Sequence, residues 1–186
     1  EIIKQKKNIC FLGVHAHIGS QILEINPFGF AAEKMADLIA KVKKKNNVNI
    51  SVLSLGGGLG ICYLPKETPP VVADYAKIIT QELKYRLEKN DLPLPKLTIE
   101  PGRSIVGRAG VTLYTIGAVK DIKGMRKYLF IDGGMSDNPR PITYQAKYEA
   151  LIVNKLSAKK TEIVTIAGKF CESGDILIKD ILLPPA

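Results

Sequence analysis

The chain has 186 residues and a mass of 20.3 kDa, and its 27 basic and 18 acidic side chains give a formal net charge of +9. Hydrophobic residues make up 46% and charged residues 24%, a balance typical of globular proteins that excludes disordered, collagen-like and membrane-spanning chains. No apolar run reaches the length of a membrane span, and residues 1–7 lack the pattern of a secretory signal. We therefore expect a cytoplasmic protein without a membrane partner.

The basic excess does not predict nucleic-acid binding, because it is spread along the chain. Residues 1–103 carry 15 Lys and Arg against 10 Asp and Glu, and the remaining residues carry 12 against 8. The densest basic cluster, within residues 41–45, falls at the end of a predicted helix, where cations interact favourably with the helix dipole. No basic stretch is interleaved with aromatic residues that could stack on bases.

The three cysteines, Cys10, Cys62 and Cys171, stand singly, without a CxxC pair. This spacing predicts neither a disulfide framework nor a zinc site, so we expect reduced thiols and no bound metal. A single thiol can still react if its surroundings tune its pKa.

The first half of the chain alternates strands and helices. Short apolar runs at Ile9–Val14, Ile50–Leu55 and Leu97–Ile99 predict strands, each followed by a loop that contains glycine. Between them, apolar residues at helical spacing predict helices over 27–45 and about 71–90. This βαβαβ order is the repeating unit of a parallel sheet or barrel. Since a complete eight-fold barrel has about 250 residues, this half supplies only part of one.

The second half has a different character and predicts a mainly β domain. One short helical stretch lies near Tyr144–Asn154. The change predicts a domain boundary near residues 103–107, with a partial (β/α)8 barrel over 1–103 and a β domain over 104–186. Four segments rich in β-branched residues predict strands: Val111–Val119, Tyr128–Ile131, Glu162–Ala167 and Asp175–Lys179.

Polar residues follow each strand of the first half, at the ends where parallel α/β folds bind ligands. These segments are His15–Ser20, Gly56–Gly58 and Glu100–Arg103. Each alone is also typical of an ordinary turn, but together they supply glycine backbone, a hydroxyl and a guanidinium, which suit a phosphate. The glycine pattern is neither GxxxxGK[ST] nor GxGxxG, which disfavours a P-loop or a dinucleotide fold.

Two segments of the second half also carry reactive groups. Asp132–Pro141 follows a predicted strand and contains Arg140, whose guanidinium can bind a carboxylate through two hydrogen bonds. Cys171–Asp175 places a thiol beside a carboxylate, where the thiol can act as an acid or a nucleophile. The residues alone equally allow a hairpin connection and an inert thiol.

Five segments in this order resemble the diaminopimelate decarboxylase family, over nearly the whole chain. The resemblance implies the fold of alanine-racemase-like pyridoxal-phosphate enzymes, in which a (β/α)8 barrel precedes a β domain and the protein is a homodimer. It also implies decarboxylation of meso-2,6-diaminopimelate to L-lysine, the last step of lysine biosynthesis. The matching segments are His17–Gln21, Gly56–Gly58, Glu100–Arg103, Asp132–Met135 with Asn138–Pro141, and Cys171–Asp175.

By this resemblance the cofactor is pyridoxal 5′-phosphate. His17 would stack on its ring, and Glu100 would pair with its pyridine nitrogen. A carboxylate there keeps the nitrogen protonated, and the protonated ring is the better electron sink. The phosphate would be held by Ser20, by the loop of Gly56, Gly57 and Gly58, and by the backbone of Gly102 and Arg103.

The resemblance also implies the substrate contacts. Arg103, Arg140 and Tyr144 would bind substrate carboxylates, and Glu172 would bind the far amino-acid centre of the substrate. Cys171 would donate the proton to Cα after CO2 leaves, reaching across the dimer into the partner's site.

Two family features lie outside this sequence, and one residue departs from the pattern. The Schiff-base lysine, in a Tyr-x-x-Lys-Ala context, is expected upstream of Glu1, and a Gly-Ala-Tyr segment is expected beyond Ala186. The segment by itself is therefore expected to be inactive. Cys62 stands where the family often has Asp, a change expected to be neutral.

Two alternatives stay open at this point. One is another decarboxylase of the same fold, acting on ornithine, arginine or carboxynorspermidine, although Asn138–Pro141 and Cys171–Gly174 favour diaminopimelate. The other is a non-catalytic homologue that keeps the fold for binding. That alternative predicts loss of active-site residues, whereas every motif within the chain is intact.

Overall fold

A computed structural model describes residues 2–186, which form two compact units. One unit comprises the residues up to Cys62 together with Lys66–Gly110, and the other comprises Tyr63–Pro65 and Val111–Ala186. All three cysteines are free thiols. Among residues 2–186, no helix combines the length and the apolar character needed to cross a membrane.

The first unit contains a parallel three-stranded sheet. Its strands β1 (Gly13–His15), β2 (Val52–Ser54) and β3 (Lys96–Thr98) lie in the order β1-β2-β3. They are connected by α1 (Asn26–Asn46) and α2 (Val72–Glu88), which confirms the predicted parallel βαβαβ order. Within the described residues these three strands form an open sheet and not a closed barrel. A 3₁₀ turn, Ile2–Gln5, precedes β1.

The first strand begins later than its apolar run predicts. Ile9–Val14 was expected to be the strand, but Ile9 is exposed and pairing with β2 starts at Gly13. A Cβ on Gly13 would lie 2.1 Å from the carbonyl oxygen of Val52, so only glycine allows this close backbone approach.

Both long helices pack on the sheet through one apolar face. The buried positions of α2, Tyr75, Ile79, Leu83 and Leu87, recur every four residues. Phe28 on α1 meets Tyr75 edge to face, with ring centroids 4.8 Å apart. The core they share includes Leu53 from the central strand, which is fully buried.

The lysine cluster of α1 lies at the helix end, as predicted. Lys43, Lys44 and Lys45 occupy the last turn. Asn47 follows in the left-handed conformation, and its N–H donates to the carbonyl of Lys43 to close the helix. A short helix that the sequence pattern does not predict, α3 (Gly102–Val106), follows β3.

The second unit contains a mixed four-stranded sheet. Its strands β4 (Ile116–Ile122), β5 (Arg126–Ile131), β6 (Glu162–Ala167) and β7 (Ile176–Leu183) lie in sequence order. The β4–β5 and β6–β7 pairs are antiparallel, whereas β5 and β6 are parallel. The predicted strand over Val111–Val119 is displaced, because residues 111–115 are irregular and the strand continues to Ile122. Buried Leu129, Val164 and Leu183 form the core.

The prediction of a helix over Tyr144–Asn154 is wrong. The helix here is α4 (Arg140–Tyr144), and Pro141 in its first turn suits a helix start. It ends because Gln145 adopts the left-handed conformation, with its N–H bonded to the carbonyl of Arg140. Beyond it only a 3₁₀ turn, Val153–Lys155, is helical.

Candidate functional site

A cavity of about 290 Å³ lies in the first unit beside the carboxyl ends of its strands. Its size is close to the lower end of the range for small-molecule sites. All the predicted cofactor-binding residues except Gly56 line it. The lining residues are His17, Ser20, Gln21, Gly57, Gly58, Leu59, Glu100, Gly102 and Arg103.

The glycine loop after β2 is tightly packed against both neighbouring strand ends. A Cβ on Gly57 would lie 2.1 Å from the Glu100 carbonyl oxygen, and one on Gly58 would lie 2.2 Å from the Gly19 carbonyl oxygen. Gly58 also has a φ of 101°, in the region that favours glycine. The loop therefore needs glycine for its own packing, quite apart from any ligand.

His17 is oriented by the glycine loop. The backbone N–H of Gly57 donates to Nδ1 of His17 at 3.2 Å. In the neutral ring the proton then lies on Nε2. This bond fixes the plane of the imidazole at the cavity wall, as a residue that stacks on a flat ligand requires.

The carboxylate of Glu100, which follows β3, is contacted by one side chain from each of the other two strands. Ser54 Oγ donates to Oε1 of Glu100 at 2.6 Å, and Nε2 of His15 lies 3.4 Å from the same oxygen. The Ser54 hydrogen bond is the main cause that lowers the pKa of Glu100; desolvation opposes it, and His15 and His17 lower the pKa further. Glu100 is therefore ionised at neutral pH and can accept a hydrogen bond from a protonated ring nitrogen.

Gln21 connects the first strand end to the third. Its Oε1 accepts a hydrogen bond from the backbone N–H of Ile61 and lies 3.4 Å from Nη1 of Arg103. Arg103 thus brings its positive charge to the cavity together with the hydroxyl of Ser20. A guanidinium, a hydroxyl and glycine backbone form a donor set that suits a phosphate.

The second unit contains a buried carboxylate that joins two of the predicted segments. Asp175 is 3% exposed, and its Oδ1 and Oδ2 accept from the backbone N–H groups of Met135 and Phe170 at 2.7 and 2.9 Å. Asp137 similarly accepts from the N–H of Gly134 at 2.7 Å. The 132–137 loop and the 168–175 turn are therefore fixed to each other.

Four predicted substrate and catalytic residues lie near this junction. Arg140 and Tyr144 share one turn of α4, with the guanidinium carbon 5.5 Å from the tyrosine ring centroid. Cys171 and Glu172 are exposed in the turn after β6, where Glu172 Oε1 accepts from the N–H of Gly174 at 3.2 Å. A Cβ on Gly174 would lie 3.8 Å from both Glu172 and a methyl group of Ile142, so this turn adjoins α4.

The structure thus gathers the predicted site residues into two sets, one in each unit. Gly56 does not line the cavity, but it anchors the loop, because its carbonyl accepts from the N–H of Glu100 at 2.7 Å. Three residues to which the sequence analysis gives no individual role join the first set, namely His15, Ser54 and Gln21. Their positions at strand ends were the available signal. No three His, Cys, Asp or Glu side chains come together as metal ligands in the described part of the chain.

Comparison with known proteins identifies a family and several relatives. Residues 1–107 match the model of the family described as pyridoxal-dependent decarboxylase, pyridoxal binding domain. Diaminopimelate decarboxylase of Halalkalibacterium halodurans is 47% identical over 179 residues, which are 96% of this chain and 41% of that protein. The Bacillus subtilis enzyme of the same name is 45% identical, over 99% of this chain and 42% of that protein. The chain spans about two fifths of the length of these curated relatives.

Solved structures give the same picture. Diaminopimelate decarboxylase of M. jannaschii in complex with L-lysine has a TM-score of 0.79 and 36% identity, over 94% of this chain and 39% of that one. The Helicobacter pylori enzyme, also complexed with L-lysine, has a TM-score of 0.78 and 30% identity, over 94% and 41%. The cavity residues fit the cofactor of the matched domain, because they offer phosphate donors and an ionised carboxylate.

Gly57→Ala tests the packing of the glycine loop. The added methyl group must displace the backbone at Glu100, so we expect the Kd for pyridoxal phosphate to rise at least about tenfold, or ~1.4 kcal/mol. Fluorescence titration of the full-length protein measures it. Gly110→Ala is the matched control, since nothing lies within 4 Å of its added Cβ. Equal affinities for the two variants would contradict the packing argument.

Asp175→Ala tests the junction in the second unit. Removal of the carboxylate leaves the Met135 and Phe170 amides without their acceptor, so we expect the free energy of unfolding to fall by about 2–4 kcal/mol. Urea denaturation measures this change. Asp121→Ala, at an exposed position of β4, should alter the midpoint little. A midpoint as high as that of the control would show that the loops do not depend on Asp175.

Proposed function

Because the chain belongs to the pyridoxal-dependent decarboxylase family, we propose that it is a segment of a diaminopimelate decarboxylase, which converts meso-2,6-diaminopimelate to L-lysine and CO2. The names of its relatives support this assignment, as do the L-lysine complexes of two of them. The observation that carries the proposal is the cavity in the first unit, which combines phosphate donors with the ionised carboxylate of Glu100.

Within this proposal the cofactor residues have separate tasks. Bound pyridoxal phosphate supplies an electron sink for the electron pair left on Cα when CO2 departs. Glu100 keeps the ring nitrogen protonated, and the fixed imidazole of His17 stacks on the ring. The phosphate is bound by the hydroxyl of Ser20 and by the backbone of Gly56, Gly57, Gly58, Gly102 and Arg103.

The substrate residues come mainly from the second unit. Nε of Arg140 is buried and has no hydrogen-bond partner among the described residues, which supports a role in binding a substrate carboxylate. Tyr144 and Arg103 complete the carboxylate contacts. Glu172 binds the ammonium group at the far end of the substrate, and Cys171 donates the proton that replaces CO2 on Cα.

The same proposal includes the domains to which the two parts of the chain belong and the assembly of the whole protein. Residues 1–103 belong to a pyridoxal-phosphate-binding (β/α)8 barrel, and residues 104–186 belong to a β domain. A cytoplasmic homodimer in which Cys171 enters the partner's site stays a prediction from the family resemblance.

The experiment that tests the substrate is a comparison of CO2 release by the full-length protein that contains this segment. We expect release from meso-diaminopimelate in the presence of pyridoxal phosphate, and none from L-ornithine or L-arginine. Release of CO2 from ornithine alone would show that the substrate is ornithine and not diaminopimelate. Cofactor binding without release from any of the three would favour a non-catalytic homologue.

Cys171→Ala tests the proton donor in the same protein. Loss of a positioned acid typically slows a reaction by about 10²–10⁴-fold, and we expect kcat to fall within this range with little change in cofactor affinity. Steady-state CO2 release measures kcat. Cys10→Ala is the control, because Cys10 is also an exposed free thiol but lies outside the proposed site. An unchanged kcat in Cys171→Ala would remove the thiol from the reaction.

A further inference from the structure

Three polar side chains meet at the carboxyl ends of the parallel strands, and the family motifs account for only one of them. His15 ends β1 and is the register partner of Ser54, which ends β2. Ser54 is in turn the partner of Thr98, and Glu100 follows two residues later. The strand register therefore places His15, Ser54 and Glu100 side by side.

Both neighbours contact the same oxygen of the carboxylate. Ser54 Oγ lies 2.6 Å and His15 Nε2 lies 3.4 Å from Oε1 of Glu100. The shorter contact is a charge-assisted hydrogen bond, the stronger of the two. Two donors on one oxygen fix the rotation of the carboxylate and direct it in a single orientation.

The hydroxyl of Ser54 is itself oriented by the glycine loop. Its oxygen accepts a hydrogen bond from the backbone N–H of Gly56 at 3.2 Å, which leaves the hydroxyl proton to donate to Glu100. The backbone N–H of Glu100 in turn donates to the carbonyl of Gly56 at 2.7 Å. Gly56 thus positions the side chain of Glu100 through Ser54 and its backbone through a direct hydrogen bond.

We propose that Ser54 and His15 are positioning residues for Glu100, which bind Oε1 and so present Oε2 to the pyridine nitrogen of the cofactor. This inference rests on the proposed function of Glu100 in the pyridoxal-phosphate site. Neither residue touches the cofactor in this arrangement. Because its contact is shorter, Ser54 contributes more than His15.

The experiment compares two cofactors in the full-length apoprotein. Pyridoxal phosphate and its 1-deaza analogue, which has CH in place of the ring nitrogen, differ only in the atom that Glu100 binds. The ratio of their Kd values therefore measures that contact and is insensitive to changes in the phosphate cradle. We expect the wild type to prefer pyridoxal phosphate, and Glu100→Gln to lose most of this preference.

The variants test the two positioning residues separately. We expect Ser54→Ala to reduce the preference by about tenfold and His15→Phe by about threefold. The matched control is Ser51→Ala, because Ser51 lies just before β2, at its opposite end, and its hydroxyl donates to the carbonyl of Leu12 at 2.8 Å. This control should keep the wild-type ratio.

Three results would overturn the inference. They are a wild-type ratio near one, an unchanged ratio in both variants, or an equal loss of affinity for both cofactors. A protein that shows the expected ratios yet releases no CO2 from diaminopimelate would instead support the inference and overturn the proposed reaction. The two failures are therefore distinguishable.

Discussion

Hydrogen bonds between β1, β2 and β3 align three parallel strands so that all of them end on one edge of the first unit. The pairing continues into the loops, since Ala16 N–H donates to the Ser54 carbonyl and Leu55 N–H donates to the Thr98 carbonyl. Residues far apart in sequence thereby become neighbours in the site. A slip of one residue would turn Ser54 away from Glu100, because successive side chains of a strand point to opposite faces.

Gly57 connects the outer two strand ends through the central one. Its N–H orients His17, which follows β1, while the absence of a side chain lets its backbone lie against the carbonyl of Glu100, which follows β3. The backbone of Gly57 therefore positions both His17, which would stack on the cofactor ring, and Glu100, which would pair with the ring nitrogen. Glycine in this loop is required by the close packing of the backbone. The absence of side chains also leaves backbone N–H groups open to bind an anion.

In the second unit a buried carboxylate, that of Asp175, holds two loops together. Asp175 is held by two backbone amides and accordingly joins the loop before Arg140 to the turn that carries Cys171 and Glu172. Burial of an aspartate is normally costly, but charge-assisted bonds to two amides offset the loss of hydration. In both units carboxylates therefore organise loops, and Glu100 in addition lines the cavity of the first unit.

The sequence pattern predicts the parallel order and the strand-end motifs well, because apolar periodicity and glycine report directly on local backbone. It fails for Tyr144–Asn154, where the left-handed Gln145 ends a helix that begins earlier at two prolines. It also assigns no role to Ser54 or to Gln21. Their contacts bridge 46 residues to Glu100 and 82 residues to Arg103, and such pairs exist only once the strands are in register. The chemistry of a site can thus be recognised from motifs, whereas the residues that orient it emerge from tertiary structure.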